Sequence, residues 1–440
     1  MALSAPTATA SSILLQLVED YHSFNPGGVP VLPYPTYLDF SKQVHRGRPC
    51  VYRLDPDQQP ARKASQVNGS SRLSKVRTEL ESILSSPAFS WTRESLCAKV
   101  TEDVEVAVTP DGRADSLYPL PRTWASPNNS TVETHANLET SDLNNSRGGK
   151  REGLEAAHEQ EPEQEQVFVQ PATINMSLSS LFDKLCRPVA NDNTSIPNNP
   201  QAIYYLQSQN SNLTTTPLSP LLSDLPRNLP FAAPVLGDPE AINIWMGTGA
   251  SVTSTHRDPY ENLYLVLRGR KKFTLYAPVE EVCLHADKVR TAHQVLEPDG
   301  SFNIALDTHQ PSSPDVDTDT SDAQAEDGAK TDDNCIPWIP VDPLNLPTPD
   351  ILASKYPYYQ YSHPLTVTVS EGEILYLPAG WFHHVSQECG VWDDGENAPC
   401  IAVNYWYDMD YEGEKYAMRE MLGRLVEAAR REQHQEELSR

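Results

Sequence analysis

The chain has 440 residues, with 60 Asp and Glu against 34 Lys and Arg and a formal net charge of -26. That length leaves room for two or three average domains, or for one large β domain with additions, and so acidic a balance disfavours broad nucleic-acid binding while suiting a basic protein substrate. No apolar run is long enough to span a bilayer, no charged-apolar-cleavage pattern opens the chain, and the seven cysteines are odd in number with no Cys-x-x-Cys pair, so a cytosolic or nucleocytoplasmic protein without a disulfide or zinc framework is expected.

Residues 10–86 read as helices and connecting segments, with a first strand at Arg48–Tyr52 and a polar loop over 57–75. A strand at Val104–Val108 runs into Thr109-Pro110-Asp111-Gly112, a strong turn signal. Residues 126–166 are rich in Asn, Ser, Glu and Gln, and residues 310–334 alternate aspartates with small residues. Neither segment can bury enough apolar area to offset the entropy of ordering, so both are expected to be disordered insertions. Leu178–Cys186 reads as a helix ahead of a β-rich region spanning 167–410, and the residues before 126 as a mixed region packing onto it. From Tyr411 the chain turns helical, and Tyr416, Met421, Leu422, Leu425 and Val426 form an apolar stripe. That stripe either packs on its own barrel or joins a homodimer, and the dimer is slightly favoured.

The chemistry concentrates in two distant stretches, TSTHRDPYENLYLVLRGRKKF (253–273) and GEILYLPAGWFHHVSQ (372–387). His256 and Asp258 stand two apart, and in a strand residues two apart point to one side, where both can reach one metal. Asn262–Leu267 is rich in aromatic and branched residues, Arg268-Gly269-Arg270 offers a hairpin turn, and Phe273–Tyr276 continues as a second strand. Downstream, Ile374–Leu377 is strand-like and leads into Trp381-Phe382-His383-His384. Two imidazoles and one carboxylate are the donor set of the facial triad that holds Fe(II) with open positions.

His-x-Asp alone is a weak signal, and the chain carries a second, His285-Ala286-Asp287. Its surroundings, VEEVCLHADKV, read as helical, and residues two apart on a helix diverge by roughly 200°. Context therefore selects His256. The residues leave two choices open: which of His383 and His384 is the ligand, and which of Lys271 and Lys272 faces the site.

The segments VEVAVTPDGRAD (104–115), YYLQSQNSNL (204–213), AINIWMGTGASVTSTHRDPYENLYLVLRGRKKFTLYAP (241–278), PWIPVDP (337–343), GEILYLPAGWFHHV (372–385) and CIAVNYWYDMDYEGEKYA (400–417) resemble, in order, the cupin-like jumonji-C (JmjC) 2-oxoglutarate oxygenases. The resemblance implies a mainly β fold, a double-stranded β-helix or jelly roll, flanked by N- and C-terminal helices. It places the iron ligands on His256, Asp258 and His383, with His384 a supporting neighbour. It places the cation for the far carboxylate of 2-oxoglutarate on Lys271, hydroxyl donors to that carboxylate on Tyr205 and Thr253, and pocket-lining amides on Asn262 and Asn404. Fe(II) is then the metal, and 2-oxoglutarate and O2 the cosubstrates. Both long insertions, and the turn at Trp392–Pro399, depart from the family pattern.

The pattern is nearest that of the family's peptidyl-lysine hydroxylases, which implies a lysine on a translation-associated, developmentally regulated GTP-binding protein as substrate. Demethylation of N-methyl-lysine on histones is a rival, although no segment resembles a chromatin reader. Hydroxylation of a tRNA base is another, opposed by the acidic balance. A non-catalytic cupin that only binds partners is opposed by the intact ligand and lysine positions.

Overall fold

In the computed structural model, residues 9–53, 69–120, 164–186, 202–207, 211–307 and 335–438 are described. Eight strands build the centre. They are β1 (Ala241–Gly247), β2 (Val252–His256), β3 (Tyr260–Arg268), β4 (Arg270–Tyr276), β5 (Leu365–Ser370), β6 (Glu373–Leu377), β7 (Phe382–Glu388) and β8 (Cys400–Asp408). One sheet runs in the order β6-β3-β8-β1 and the other in the order β5-β4-β7-β2. Val31–Pro33 and Cys50–Arg53 extend the first sheet beyond β6, and Arg113–Ala114 extends the second beyond β2. Apart from β4 and β5, which pair antiparallel within the second sheet, consecutive strands alternate between sheets, the winding of a double-stranded β-helix.

The crossing from β3 to β4 shows why sequence dictates this winding. Gly269 takes a left-handed φ of 72°, and a Cβ there would meet the Glu388 carbonyl oxygen at 2.5 Å. Only glycine fits so close a backbone approach. Along the strands that follow, alternate residues face inward. Lys271, Phe273 and Leu275 of β4 share one face, as do Tyr264 and Val266 of β3, and the apolar members join one buried cluster with Trp245, Leu375, Trp381 and Ala402. The opposite face of the larger sheet forms a second core with the N-terminal region, through Phe40, Tyr52, Phe231, Tyr376 and Tyr405. Burying large aromatic side chains on both faces stabilises this sheet most, at roughly 1.5–3 kcal/mol for each fully buried apolar side chain.

Helix α1 (Ala10–Phe24) and helix α2 (Glu414–Leu438) lie against each other beside the barrel. Leu422, Leu425, Val426 and Ala429 of α2 pack with Leu14 and Val18 of α1 and with Val282 and Cys283. Part of the apolar stripe read from the sequence is therefore covered within the chain, while Met421 stays 46 % exposed. Tyr416 rests against Tyr411, with ring centroids 5.5 Å apart.

Two local readings change, and a third gains detail. The helix Gly69–Leu84 begins inside the stretch read as a polar loop, whose first part, 57–68, lies outside the described residues. The helical reading around His285 holds only as far as a 3-10 helix at Pro278–Leu284. His285 then takes a φ of 51°, and Asp287 opens the strand Asp287–Leu296. The His285 ring accepts a hydrogen bond from the Tyr358 amide at 3.0 Å, so His285 has a structural role, for a reason other than helical divergence. The turn at Trp392 is built in: Trp392 packs against Phe182 and under the Arg268 guanidinium, 5.6 Å from its ring centroid. Segment 310–334 and residues 126–163 lie outside the described residues.

Candidate metal and cosubstrate site

His256 is the last residue of β2, and it pairs in register with His383 of β7. Asp258 lies two residues on, past the end of the strand. The in-strand argument for a shared side thus applies to the approach only, and the loop completes it. The Gly380 amide donates to the Asp258 carbonyl at 2.9 Å and ties that loop to the start of β7. One ligand atom from each of His256, Asp258 and His383 lies within 4.8 Å of the others, and among the described residues no other group of His, Cys, Asp and Glu is so arranged. The Asp258 carboxylate is 3.9 Å from His256 Nε2 and 3.5 Å from His383 Nε2.

The chemistry of these donors fits a divalent metal. His256 Nδ1 lies 2.8 Å from the Ser254 carbonyl oxygen, and His383 Nδ1 lies 3.1 Å from that of Trp381. A carbonyl only accepts, so each Nδ1 carries the proton and each Nε2 lone pair is turned toward the shared centre. The same device, a bond to the carbonyl two residues back, orients both rings. Burial, followed by the neighbouring His256, pushes His383 down to about 4, so it is neutral and ready to coordinate at physiological pH.

His384 faces the other way, as a one-residue step on a strand requires. Its Nε2 is 3.6 Å from Asp342, in a separate cavity of about 240 Å³ that also touches Arg113, Thr255 and Trp338.

Lys271 is 1 % exposed and projects into the barrel. Its Nζ donates to Tyr205 Oη at 3.1 Å and lies 5.3 and 5.8 Å from the Tyr205 and Tyr264 ring centroids. Among the described residues no carboxylate pairs with it. An ammonium buried without an anion is costly, and this one is placed to receive an anionic ligand. Burial raises the Tyr205 phenol, which keeps its proton and can donate it onward. Lys272 points out, half exposed, onto Glu388 at 2.5 Å.

The remaining site residues differ in how closely they gather. Thr253 sits on β2 beside Ala114 and Val385. Asn262 is 4 % exposed, and its buried Oδ1 has no hydrogen-bond partner among the described residues. Asn404 lies on β8 opposite Tyr264, and its Oδ1 accepts from Trp245 Nε1 at 3.0 Å. The structure adds Gly247 and Gln387, which the sequence reading did not single out. A Cβ on Gly247 would lie 2.3 Å from Gln387 Nε2 and 2.5 Å from the Tyr205 ring. A glycine inside the apolar strand AINIWMG was the available signal, since it marks a close approach.

A profile of the Cupin-like domain family matches residues 38–413, most of the chain. The chain is 36 % identical over 263 residues to the human "Bifunctional peptidase and (3S)-lysyl hydroxylase JMJD7", covering 60 % of this chain and 68 % of that protein. It is 32 % identical over 267 residues to "JmjC domain-containing protein E" of Dictyostelium discoideum, with 60 % and 68 % covered. It is 37 % identical over 227 residues to "Lysine-specific demethylase JMJ32" of Arabidopsis thaliana, with 50 % and 57 % covered. With its jelly-roll barrel and one His-Asp-His cluster among the described residues, the chain belongs to the cupin-like JmjC oxygenases, a family that depends on iron(II) and 2-oxoglutarate.

Proposed function

We propose that this chain is a peptidyl-lysine hydroxylase acting on a protein substrate, most specifically a lysine of a developmentally regulated GTP-binding protein. The observation that carries the cosubstrate half is the buried ammonium of Lys271, unmatched by any carboxylate among the described residues, on the same barrel interior as the triad. The lysine is supported by the human relative named a (3S)-lysyl hydroxylase, and the GTP-binding protein is what the sequence resemblance implies.

Each side chain has a task in this reading. His256, Asp258 and His383 would hold iron(II) on one face. Lys271 and Tyr205, with Thr253, would take the far carboxylate of 2-oxoglutarate as a charge-assisted pair. Asn262, whose side-chain carbonyl oxygen lacks a partner among the described residues, and Asn404 would line the space between. When bound, iron with 2-oxoglutarate supplies the activation of O2 needed to hydroxylate an unactivated C–H bond, and the protein supplies position and charge.

The Arabidopsis relative named a lysine-specific demethylase supports a second reading, removal of methyl groups from N-methyl-lysine. One experiment separates the two. Unmodified GTPase and methyl-lysine histone peptides are incubated with enzyme, iron(II) and 2-oxoglutarate and examined by mass spectrometry. Gain of one oxygen on a GTPase lysine, with the histone peptides unchanged, is expected. Loss of methyl groups from the peptides without lysine oxidation would overturn the hydroxylase reading.

A further inference from the structure

Asp115 is an acidic residue at the barrel's open edge that the reading above leaves without a task. It directly follows Arg113–Ala114, the short strand that pairs in parallel with Val252 and Thr253 of β2. Its backbone is left-handed, with a φ of 52°. Such a conformation is uncommon outside glycine, and it persists where the surroundings enforce it, often at functional sites. Here Ser254 Oγ donates to the Asp115 carbonyl, and the Ser254 carbonyl in turn accepts from His256 Nδ1. The backbone of Asp115 is thus fixed to the same short segment that orients a candidate metal ligand.

The carboxylate is held as firmly. Its Oδ2 accepts from Gln207 Nε2 at 3.2 Å, two residues beyond Tyr205. It is close enough to His256 and to Tyr205 for its charge to act on both. Among the described residues no lysine or arginine pairs with it. Burial raises its carboxyl above the ordinary range, and a cation brought beside it would favour the charged form. The side chain is nevertheless partly open, so a ligand can reach it.

Charge matching adds a second argument. In the loaded site the charges of iron(II) and Lys271 would be met by Asp258 and the two carboxylates of 2-oxoglutarate. Asp115 then stands as one negative charge in excess, in a site that would repel any further anion. The group that completes it is a cation brought by the substrate.

We infer that Asp115 receives the side-chain ammonium of the substrate lysine and holds its aliphatic carbons across the metal position. This rests on the lysine reading above and adds to it the residue that selects lysine.

The test uses two charge-distinct probes, Nα-acetyl-lysine methylamide and its norleucine counterpart, which lacks the ammonium. Each is titrated by ligand-observed NMR into the full chain loaded with zinc(II) and 2-oxoglutarate, so that the readout is binding and not turnover. Asp115→Asn is the informative variant, because asparagine tolerates a left-handed φ and can still accept from Gln207. Wild type should prefer the lysine probe by about tenfold or more, the loss expected for one charge-assisted hydrogen bond. Asp115→Asn should bind both probes as weakly as wild type binds norleucine. Asp115→Glu keeps the charge and should keep a lysine preference, and its disappearance there would count against an electrostatic role. A lysine preference that survives Asp115→Asn overturns the assignment of Asp115 and leaves the lysine reading standing. Absence of any lysine preference in wild type, weak binding of both probes included, overturns the lysine reading and this assignment with it.

Discussion

Replacing Lys271 by methionine should make the empty protein more stable while removing its grip on 2-oxoglutarate. The side chain is 1 % exposed, and its ammonium meets a phenol oxygen at 3.1 Å and two ring faces, with no carboxylate partner among the described residues. Exchanging a buried charge for an apolar chain of similar volume is often stabilising, by about 1–4 kcal/mol. The same exchange leaves a bound carboxylate buried and unpaired, at a cost of about 3–5 kcal/mol. That corresponds to a rise of roughly two to three and a half orders of magnitude in the 2-oxoglutarate needed. Lys272→Ala is the control: its half-exposed pair with Glu388 at 2.5 Å should be worth at most about 1 kcal/mol, and 2-oxoglutarate binding should not change. Thermal melts without cosubstrate and calorimetric titration with manganese(II) and 2-oxoglutarate read the two effects separately. The reasoning fails if Lys271→Met binds 2-oxoglutarate as wild type does, or if the lysines exchange roles.

His256→Ala, Asp258→Ala and His383→Ala should each abolish stoichiometric iron binding, whereas His384→Ala, facing Asp342 at 3.6 Å on the opposite side of β7, should keep it. Metal analysis after gel filtration decides, and iron lost with His384 but kept with His383→Ala would reverse the assignment. Gly247→Ala should push Tyr205 off Lys271, since its Cβ would stand 2.5 Å from that ring. The loss of one hydrogen bond to a charged group should weaken 2-oxoglutarate binding by roughly tenfold or more, and an unchanged titration would show that the ring has room to move. Glu280 is 0 % exposed, and burial raises its carboxyl from 4.5 to about 7. A folded-state value above the unfolded one means that its contribution is full at pH below 4.5 and lost as pH rises through 7, at most about 3 kcal/mol. Glu280→Gln, a neutral mimic of the protonated acid, should therefore gain stability relative to wild type as pH rises from 5 to 8, and a gap between their melting temperatures that narrows instead would contradict the sign.

Much of this site is legible before any fold is known. The alternation of Lys271, Phe273 and Leu275 with outward residues fixes the inward face of β4 once the turn at Gly269 is placed, and that turn is marked by a glycine between two arginines. The same parity separates His383 from His384, but which of the two points inward depends on where β7 begins, and residue patterns alone leave that open. The i, i+2 argument for His256 and Asp258 selects a pair that the fold does bring together, but the strand stops at His256, and the Gly380 amide holds the loop where pleating was the expected device. What sequence could not show is convergence from distant segments. Asp115 approaches His256 and Tyr205 only because a short strand pairs in parallel with β2, and Gly247 matters only because Tyr205 lies over it. The same limit hid how α2 packs: its apolar stripe was visible, but that Leu14 and Val18 cover part of it is a fact of tertiary structure. The helix beginning at Gly69 was missed because its first residues are polar and glycine-led, which weakens any local helical signal.

The central claim, that this barrel hydroxylates a lysine side chain with iron(II) and 2-oxoglutarate, is tested most directly by the origin of the added oxygen. The GTPase substrate is incubated with enzyme, iron(II) and 2-oxoglutarate under isotopically heavy O2 in ordinary water, and the modified lysine is examined by mass spectrometry. The account predicts heavy oxygen on lysine carbon, strictly dependent on 2-oxoglutarate and absent with Asp258→Ala. Oxygen drawn from water, or a lysine that stays unoxidised while 2-oxoglutarate is consumed and methyl-lysine peptides lose their methyl groups, would contradict it.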